Sequence, residues 1–229
     1  MVTVLAAAAI GYILGSVPSG VWLGRLFKGI DVREHGSKSI GATNVFRVLG
    51  AKLAVGVLMF DIAKGFAAAY LGSLVDLGDT LLTPNQLAMI GGLSAVLGHL
   101  FPVFARFRGG KGVATGAGML LFLAPLEVGF ACIVFAAVLA LTGYVSLSSI
   151  AGTFFFSLSI LLERYLFGYP IGDEMVVLAI AITLLMLYTH RENIGRLIRG
   201  KESRLGSKPS ITDSSPDLRR ADKNDDEQK

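Results

Sequence analysis

Long apolar runs constrain this chain more than any other feature of its sequence. They occupy residues 2–23, 53–74, 87–104, 113–144, 150–167 and 175–188. A helix needs about 20 apolar residues to cross the hydrocarbon layer of a bilayer. Only 17% of the residues are charged, against about a quarter in soluble domains. Because backbone groups in lipid must bond within the protein, the sequence predicts an all-α, polytopic integral membrane helical bundle.

The number of spans follows from where these runs break. The run at 113–144 is too long for one crossing and contains a proline at position 125. We expect a short helix over 113–124, which would rise only about 18 Å, and a full helix over 126–144. This division gives seven transmembrane helices, one of them short, or five if the short pieces merge.

Charge sets the expected orientation. The first polar segment, residues 25–52, has an excess of cations, and such segments stay in the cytoplasm. The N-terminus is then outside, and an odd number of spans places the C-terminus in the cytoplasm. Residues 1–200 hold 14 cations and 10 anions, whereas residues 201–229 hold seven of each. We expect the first part to be the membrane-embedded domain and the second a disordered polar tail.

Composition excludes several classes of function. The single cysteine, Cys132, cannot form an internal disulfide. The three histidines are far apart in the sequence, so neither a metal nor a cofactor is expected. The pI near 9.3 suits anionic lipid and not nucleic acid, because no basic face is interleaved with aromatic residues. The N-terminus lacks a basic stretch and is typical of a first span, not of a cleaved signal.

Ionisable residues also lie inside the apolar runs. Asp61 and Lys64 are three positions apart and share a helix face. Charges at that depth need a partner or a cavity, so the pair is interpreted as a structural ion pair, with direct catalysis as the alternative. His99 is either a packing residue or a ligand contact. Pro18 is expected to kink the first span.

Three polar segments, residues 33–47, 106–115 and 190–199, are expected to meet at the cytoplasmic face. The second combines glycines, cations and the start of a helix, which suits a phosphate group. The alternative is an ordinary positive cytoplasmic loop. The candidate ligands are Ser37, Thr43, Asn44, Arg47, Gly109, Gly110, Lys111, Gly112, His190 and Asn193.

Two common motifs do not fit these segments. A nucleotide P-loop would need glycine at Ala105 and serine or threonine at Gly112. None of the three histidines has an aspartate five positions on, which excludes the His-x4-Asp acyltransferases. The segments also lack a serine-triad spacing and a carboxylate pair.

The motifs resemble those of the bacterial acyl-phosphate-dependent glycerol-3-phosphate acyltransferases, the PlsY family. The matching stretches are GSKSIGATN at 36–44 with Arg47, HLFP at 99–102 with RGGKGVAT at 108–115, and HRENI at 190–194. The likeness covers roughly residues 1–201. One departure is visible: family members often have Gly-Asn where this chain has Lys38 and Ser39.

The resemblance implies a reaction and a location. An acyl phosphate would donate its acyl group to the 1-hydroxyl of glycerol 3-phosphate, giving 1-acylglycerol 3-phosphate (lysophosphatidic acid) and phosphate, the first step of phospholipid synthesis. The expected location is the bacterial inner membrane, with the site facing the cytoplasm and a monomer as the working expectation. The implied reaction-centre residues are Ser37, Arg47, Lys111, His190 and Asn193. The implied acyl-phosphate ligands are the amides of residues 109–112, Thr43 and Ser146.

The proton acceptor stays open between His190 and a substrate phosphate. An acyl-enzyme on Ser37 is not expected, because no base flanks it in the sequence, and we predict direct transfer. The rival functions are a transporter of a phosphorylated solute and a purely structural membrane protein. Transporters more often show paired repeats and broken helices at the midplane, whereas these motifs cluster on one side.

Overall fold

The computed structural model describes residues 1–206, which are helical apart from turns and loops, and it confirms the all-α prediction. The α-helices are α1 (Val2–Gly15), α2 (Ser19–Lys28), α3 (Ala42–Leu49), α4 (Ala51–Leu74), α5 (Pro84–Leu100), α6 (Val113–Leu123), α7 (Pro125–Thr142), α8 (Val145–Tyr165), α9 (Asp173–Thr189) and α10 (Arg191–Ile198). Short 3₁₀ turns cover Val32–Glu34 and Val103–Ala105. Most of the predicted disordered tail, residues 207–229, lies outside the described residues.

Five helical stretches of the described chain are long and apolar enough to cross a membrane. They are α1 with α2, α4, α5 with the turn that follows it, α7 and α8. A sixth is present if α9 and α10, which are bent by 61° at their junction, count as one span. The 11-residue α6 is shorter, as the sequence predicted. The count of seven spans and the orientation of the termini stay predictions.

The breaks between helices have local causes. Pro18 separates α1 from α2 because it has no N–H to donate to the helix. Thr83 and Gln86 form a capping box at the start of α5, with Pro84 in the first turn. Gly143 ends α7 in the left-handed conformation, at φ 74°. The predicted polar loop at 142–149 is mostly the first turn of α8 instead.

Small residues let the central helices approach closely. A Cβ added at Gly11 of α1 would lie 2.0 Å from the Gly91 carbonyl oxygen of α5. One added at Gly65 of α4 would lie 2.0 Å from the Thr115 carbonyl oxygen of α6. Lipid gives no hydrophobic drive between helices, so such backbone contact is a main source of association. These contacts fix α6 against α4 and so fix where α6 begins.

The predicted ion pair forms in the interior. Lys64 Nζ lies 2.7 Å from Asp61 Oδ1 and 2.9 Å from His99 Nδ1. Ser19 donates to Asp61 at 2.8 Å, and Lys64 donates to the Val17 carbonyl at 3.0 Å. Asp61, Lys64 and His99 are 1%, 5% and 3% exposed. The cluster ties the break between α1 and α2 to α4 and α5, which supports the structural interpretation of the pair.

Polar segments gather at opposite ends of the bundle. At one end, the N-terminal amine pairs with Asp79 in the α4–α5 connection. At the other end, Arg33 donates to the Ala105 carbonyl at 3.0 Å. That bond joins the loop before α3 to the loop before α6. Helix α10 lies at the same end of the bundle.

Candidate active site

The loop between α5 and α6 is shaped by close contact with the end of α5. Arg106 and Phe107 both have left-handed backbones, at φ 56° and 58°, which is uncommon for residues with side chains. The Gly110 N–H then donates to the His99 carbonyl at 3.1 Å. A Cβ at Gly109 would lie 2.2 Å from that carbonyl oxygen, and one at Gly110 would lie 2.2 Å from His99 Nε2. Gly109 and Gly110 are therefore required, because neither position has room for a side chain.

Gly112 and Lys111 stand at the start of α6. Gly112 precedes the helix in the left-handed conformation, at φ 78°, which favours glycine. The first turn of a helix leaves N–H groups without an intrahelical partner and carries the positive end of the dipole. Lys111 adds a cation directly before this turn. The amides of Gly109, Lys111 and Gly112, the helix dipole and the ammonium together suit an anion.

Lys111 is held in place by a chain of hydrogen bonds to α10. Its Nζ donates to Asn193 Oδ1. Asn193 Nδ2 donates to Glu202 Oε1 at 2.6 Å. Glu202 also accepts from Ser146 Oγ at 2.8 Å and from Arg196 Nε at 2.7 Å. Burial lowers the pKa of Lys111 to about 8, although the negative charge of Glu202 acts to raise it. Its ammonium is thus weakly solvated and available for an anionic ligand.

Arg47 of α3 joins this group from the other side. Its guanidinium donates to the Ser203 carbonyl at 3.3 Å. Its Nε is buried and has no hydrogen-bond partner among residues 1–206. Burial lowers the pKa of Arg47, and the carboxylate of Glu202 raises it. A buried guanidinium N–H without an acceptor is costly, so this donor is suited to an incoming phosphate oxygen.

The loop before α3 is organised by Asn44, which is 1% exposed. Its Oδ1 accepts from the Ser37 N–H at 2.7 Å, and its Nδ2 donates to the carbonyls of Val32, His35 and Ser39. The amide is fully used inside the loop, so Asn44 shapes the loop, and the structure does not direct it at a ligand. Ser37 is exposed on this loop, and Thr43 is half-buried in the first turn of α3.

The departure at position 38 has a structural consequence. Lys38 has a left-handed backbone, with φ 58°. Glycine adopts this conformation without steric cost, whereas a residue with a side chain does not. The glycine that the resemblance places here would therefore suit this turn better than lysine.

His190 lies at the bend between α9 and α10 and is 2% exposed. Its Nδ1 is 3.0 Å from the Met186 carbonyl oxygen. A carbonyl can only accept, so Nδ1 carries the proton and Nε2 of the neutral ring is left as an acceptor. This arrangement provides a nitrogen that could take a proton.

An apolar cavity of about 120 Å³ opens next to this polar group. Lys111 and Gly112 line one end of it, and side chains of α5 to α9 line the rest, among them Leu120, Phe156 and Met186. Polar anchors at the mouth of an apolar pocket fit a ligand with a charged head and a hydrocarbon chain.

The structure thus brings Arg47, Lys111, Asn193 and Ser146 together through direct contacts or through Glu202 and its neighbour Ser203. Glu202 is the residue that sequence reasoning missed, because it falls in the segment assigned to the tail. One signal was available: Glu202 is an isolated carboxylate among the cations Arg196, Arg199, Lys201 and Arg204. Among residues 1–206, no group of three or more His, Cys, Asp or Glu side chains is placed to hold a metal ion.

Comparison with known proteins gives the family. A family model described as glycerol-3-phosphate acyltransferase matches residues 5–200. The chain belongs to this family. A glycerol-3-phosphate acyltransferase of Chlorobaculum parvum is 39% identical over 231 residues, covering 90% of this chain and 97% of the relative. One of Fusobacterium nucleatum is 43% identical over 193 residues, covering 84% and 93%.

Solved structures agree with this assignment. The crystal structure of PlsY (YgiH), an integral membrane glycerol 3-phosphate acyltransferase, in its glycerol 3-phosphate form is 38% identical, with a TM-score of 0.77. The match covers 89% of this chain and 96% of the PlsY chain. The lysophosphatidic acid form of the same protein gives a TM-score of 0.75. The family member described here is accordingly a multi-pass membrane protein of the acyltransferase class.

Proposed function

We propose that the protein transfers an acyl group from an acyl phosphate to the 1-hydroxyl of glycerol 3-phosphate, at the cytoplasmic face of a bacterial inner membrane. The main support is a pair of half-buried cations. Arg47 has a buried Nε without a hydrogen-bond partner among residues 1–206, and Lys111 lines the apolar cavity. One substrate must be hydrophilic and doubly charged, and the other must carry a hydrocarbon chain. The relatives are named for the first substrate, and the cavity accommodates the second.

The proposed roles combine the geometry with the family resemblance, which alone supplies those of Ser37 and Thr43. The glycerol 3-phosphate dianion binds to Arg47 and Lys111, with Asn193 and Ser37 directed at its glycerol part. The acyl phosphate binds with its phosphoryl group on the amides of Gly109, Lys111 and Gly112, because the Gly110 N–H is already bonded to the His99 carbonyl. Thr43 and Ser146 complete that subsite. Its acyl chain lies in the cavity between α5 and α9. Ser146 reaches this role only if it exchanges its bond to Glu202 for one to the ligand.

The reaction is a single displacement at the acyl carbon. The 1-hydroxyl oxygen bonds to the carbonyl carbon, the bond from that carbon to the phosphate oxygen breaks, and inorganic phosphate leaves with the electron pair. The hydroxyl proton goes to His190 Nε2 or to a phosphate oxygen of a substrate. An acyl phosphate is already activated, so positioning and charge stabilisation supply the catalysis. Protein-bound acyl label after incubation with the donor alone would contradict direct transfer.

Phosphate release by the purified full-length protein in detergent tests this proposal, with acyl phosphate and glycerol 3-phosphate as substrates. Lys111→Ala should abolish turnover, because the anion loses its weakly solvated cation, while the protein stays folded by gel filtration. Lys52→Ala is the matched control, since Lys52 is exposed at the start of α4, and it should leave the rate unchanged. No release by the wild type, combined with glycerol 3-phosphate flux into vesicles, would favour the transporter instead.

A further inference from the structure

The segment that follows α10 is docked onto the site. The Leu205 N–H donates to the Gly143 carbonyl at 2.7 Å, and the Lys201 N–H donates to the Arg196 carbonyl at 2.8 Å. The Arg204 guanidinium lies 5.4 Å from the centre of the Tyr144 ring. These contacts join the segment to the α7–α8 turn and to α10, and they carry Glu202 inward until its side chain is only 5% exposed.

Glu202 determines which way the Asn193 amide faces. An ionised carboxylate has no hydrogen to donate, so Asn193 must turn Nδ2 toward it. That orientation leaves Oδ1 facing Lys111 Nζ, which can only donate. Without the carboxylate, the amide could rotate and present a donor to the ammonium. The orientation needed to hold Lys111 is therefore set by Glu202.

Glu202 also sets the charge around Lys111. Burial alone would raise the pKa of the Glu202 carboxyl, but hydrogen bonds from Asn193, Arg196 and Ser146 hold the pKa below its usual value. The group is thus ionised at neutral pH. Burial lowers the pKa of Lys111, and the negative charge of Glu202 opposes this by raising it. The nearby cations Arg196 and Arg47 lower the pKa further. A carboxylate inside an anion site weakens anion binding, so Glu202 must contribute something else to the site that offsets this cost.

We propose that Glu202 is a positioning residue of the active site: through its hydrogen bonds to Asn193, Arg196 and Ser146 it fixes the Asn193 amide and thereby the Lys111 ammonium. The inference rests on the proposed acyl transfer. It extends the catalytic unit beyond the end of the matched family region at residue 200 and makes the docked segment part of the enzyme.

The test compares Glu202→Gln, Glu202→Asp and Glu202→Ala in the full-length protein, with Glu174→Gln as control. Glu174 is exposed in the first turn of α9, far from His190 at the other end of that helix. Glu202→Gln offers one oxygen to three donors, and Glu202→Ala offers none. A misplacement of about 1 Å can reduce the rate about 10²-fold, so Glu202→Ala should lower kcat about 10²-fold, more than it changes KM. Glu202→Asp, which keeps the charge, should recover part of the loss.

A second readout separates positioning from a merely structural role. In the wild type, kcat/KM for glycerol 3-phosphate should fall as the pH rises through about 8, where Lys111 loses its proton. Loss of the neighbouring negative charge lowers the Lys111 pKa, so in Glu202→Gln this fall should move down by about one pH unit. Glu202→Asp and Glu174→Gln should keep the wild-type profile. Binding of inorganic phosphate, followed by calorimetry over the same pH range, should show the same displacement.

The outcomes are distinct. Wild-type kcat and an unmoved pH profile in Glu202→Gln would overturn the positioning role. Higher kcat/KM in Glu202→Ala would overturn it in favour of a carboxylate that blocks the anion site. A wild type that releases no phosphate but whose phosphate-binding profile still moves in Glu202→Gln would overturn the proposed reaction and leave the positioning role standing.

Discussion

Gly109→Ala tests the glycine loop with a single added carbon. The new Cβ would lie 2.2 Å from the His99 carbonyl oxygen and 2.3 Å from the Leu100 carbonyl oxygen. Cβ atoms rarely come closer than 3.0 Å to such atoms. Because the new Cβ would lie at 2.2 Å, the loop has to move by about 0.8 Å. Both neighbours are backbone atoms, so a change of rotamer cannot relieve the contact. Gly109 has no positive φ, so the added volume is the main strain.

A displacement of this size should lower kcat by about 10²-fold, because rates depend steeply on the placement of reacting groups. Overpacking of this kind should also destabilise the fold by about 1–3 kcal/mol. The assay is phosphate release per folded molecule, with gel filtration and thermal unfolding in detergent as the measures of folding. Gly129→Ala is the matched control: no atom lies within 4 Å of its added Cβ, and the rate should not change. A Gly109→Ala protein with a rate within about threefold of the wild type would refute the loop's role, because the expected loss is about 10²-fold.

Two further predictions concern charge. For Lys111, whose pKa is lowered to about 8, the cation is present below that pH and lost above it, so kcat/KM should fall about tenfold per pH unit on the alkaline side. Lys111→Arg, which stays protonated, should remove that fall, and a wild-type rate that stays constant to about pH 9.5 would contradict the assignment. For the interior cluster, Asp61→Asn leaves the Lys64 ammonium without its carboxylate and should cost about 3–5 kcal/mol of stability, seen as a lower Tm. The exposed control Asp76→Asn should not lower it, and an unchanged Tm in Asp61→Asn would show that the pair is not needed for folding.

Much of the fold could be predicted because it depends on local signals. Apolar run length predicted the helices, and the proline at position 125 correctly predicted the break between α6 and α7. The start of α8 was misplaced because serines are read as loop residues. In the structure, Ser148 and Ser149 donate back to carbonyls four residues earlier at 2.8 and 2.9 Å, so their polar groups are satisfied inside the helix.

The site was only partly predictable, because its geometry depends on contacts between distant segments. Lys111 could be selected from the glycines and cations around it, but its bond to Asn193 joins residues 82 positions apart. Asn44 was selected as a ligand from its residue type, and nothing local shows that its amide is used inside the loop. Glu202 was missed because composition alone assigned it to the tail, whereas its burial depends on the docking of residues 201–206.

Charge balance gives a reason for the proposed division of the site into two phosphate subsites. Arg47, Lys111 and Arg196 lie near two carboxylates, Glu202 and Glu192, so this group carries one net positive charge. A phosphate monoester carries about 1.5 to 2 negative charges at neutral pH, so a single one neutralises the group. A second phosphate would then meet no remaining side-chain charge there and must be bound by neutral donors. The amides of Gly109, Lys111 and Gly112 and the first turn of α6 supply such donors. In the proposed reaction, the phosphate that leaves the acyl phosphate is best placed on these amides, because glycerol 3-phosphate then occupies the ammonium of Lys111 and the guanidinium of Arg47.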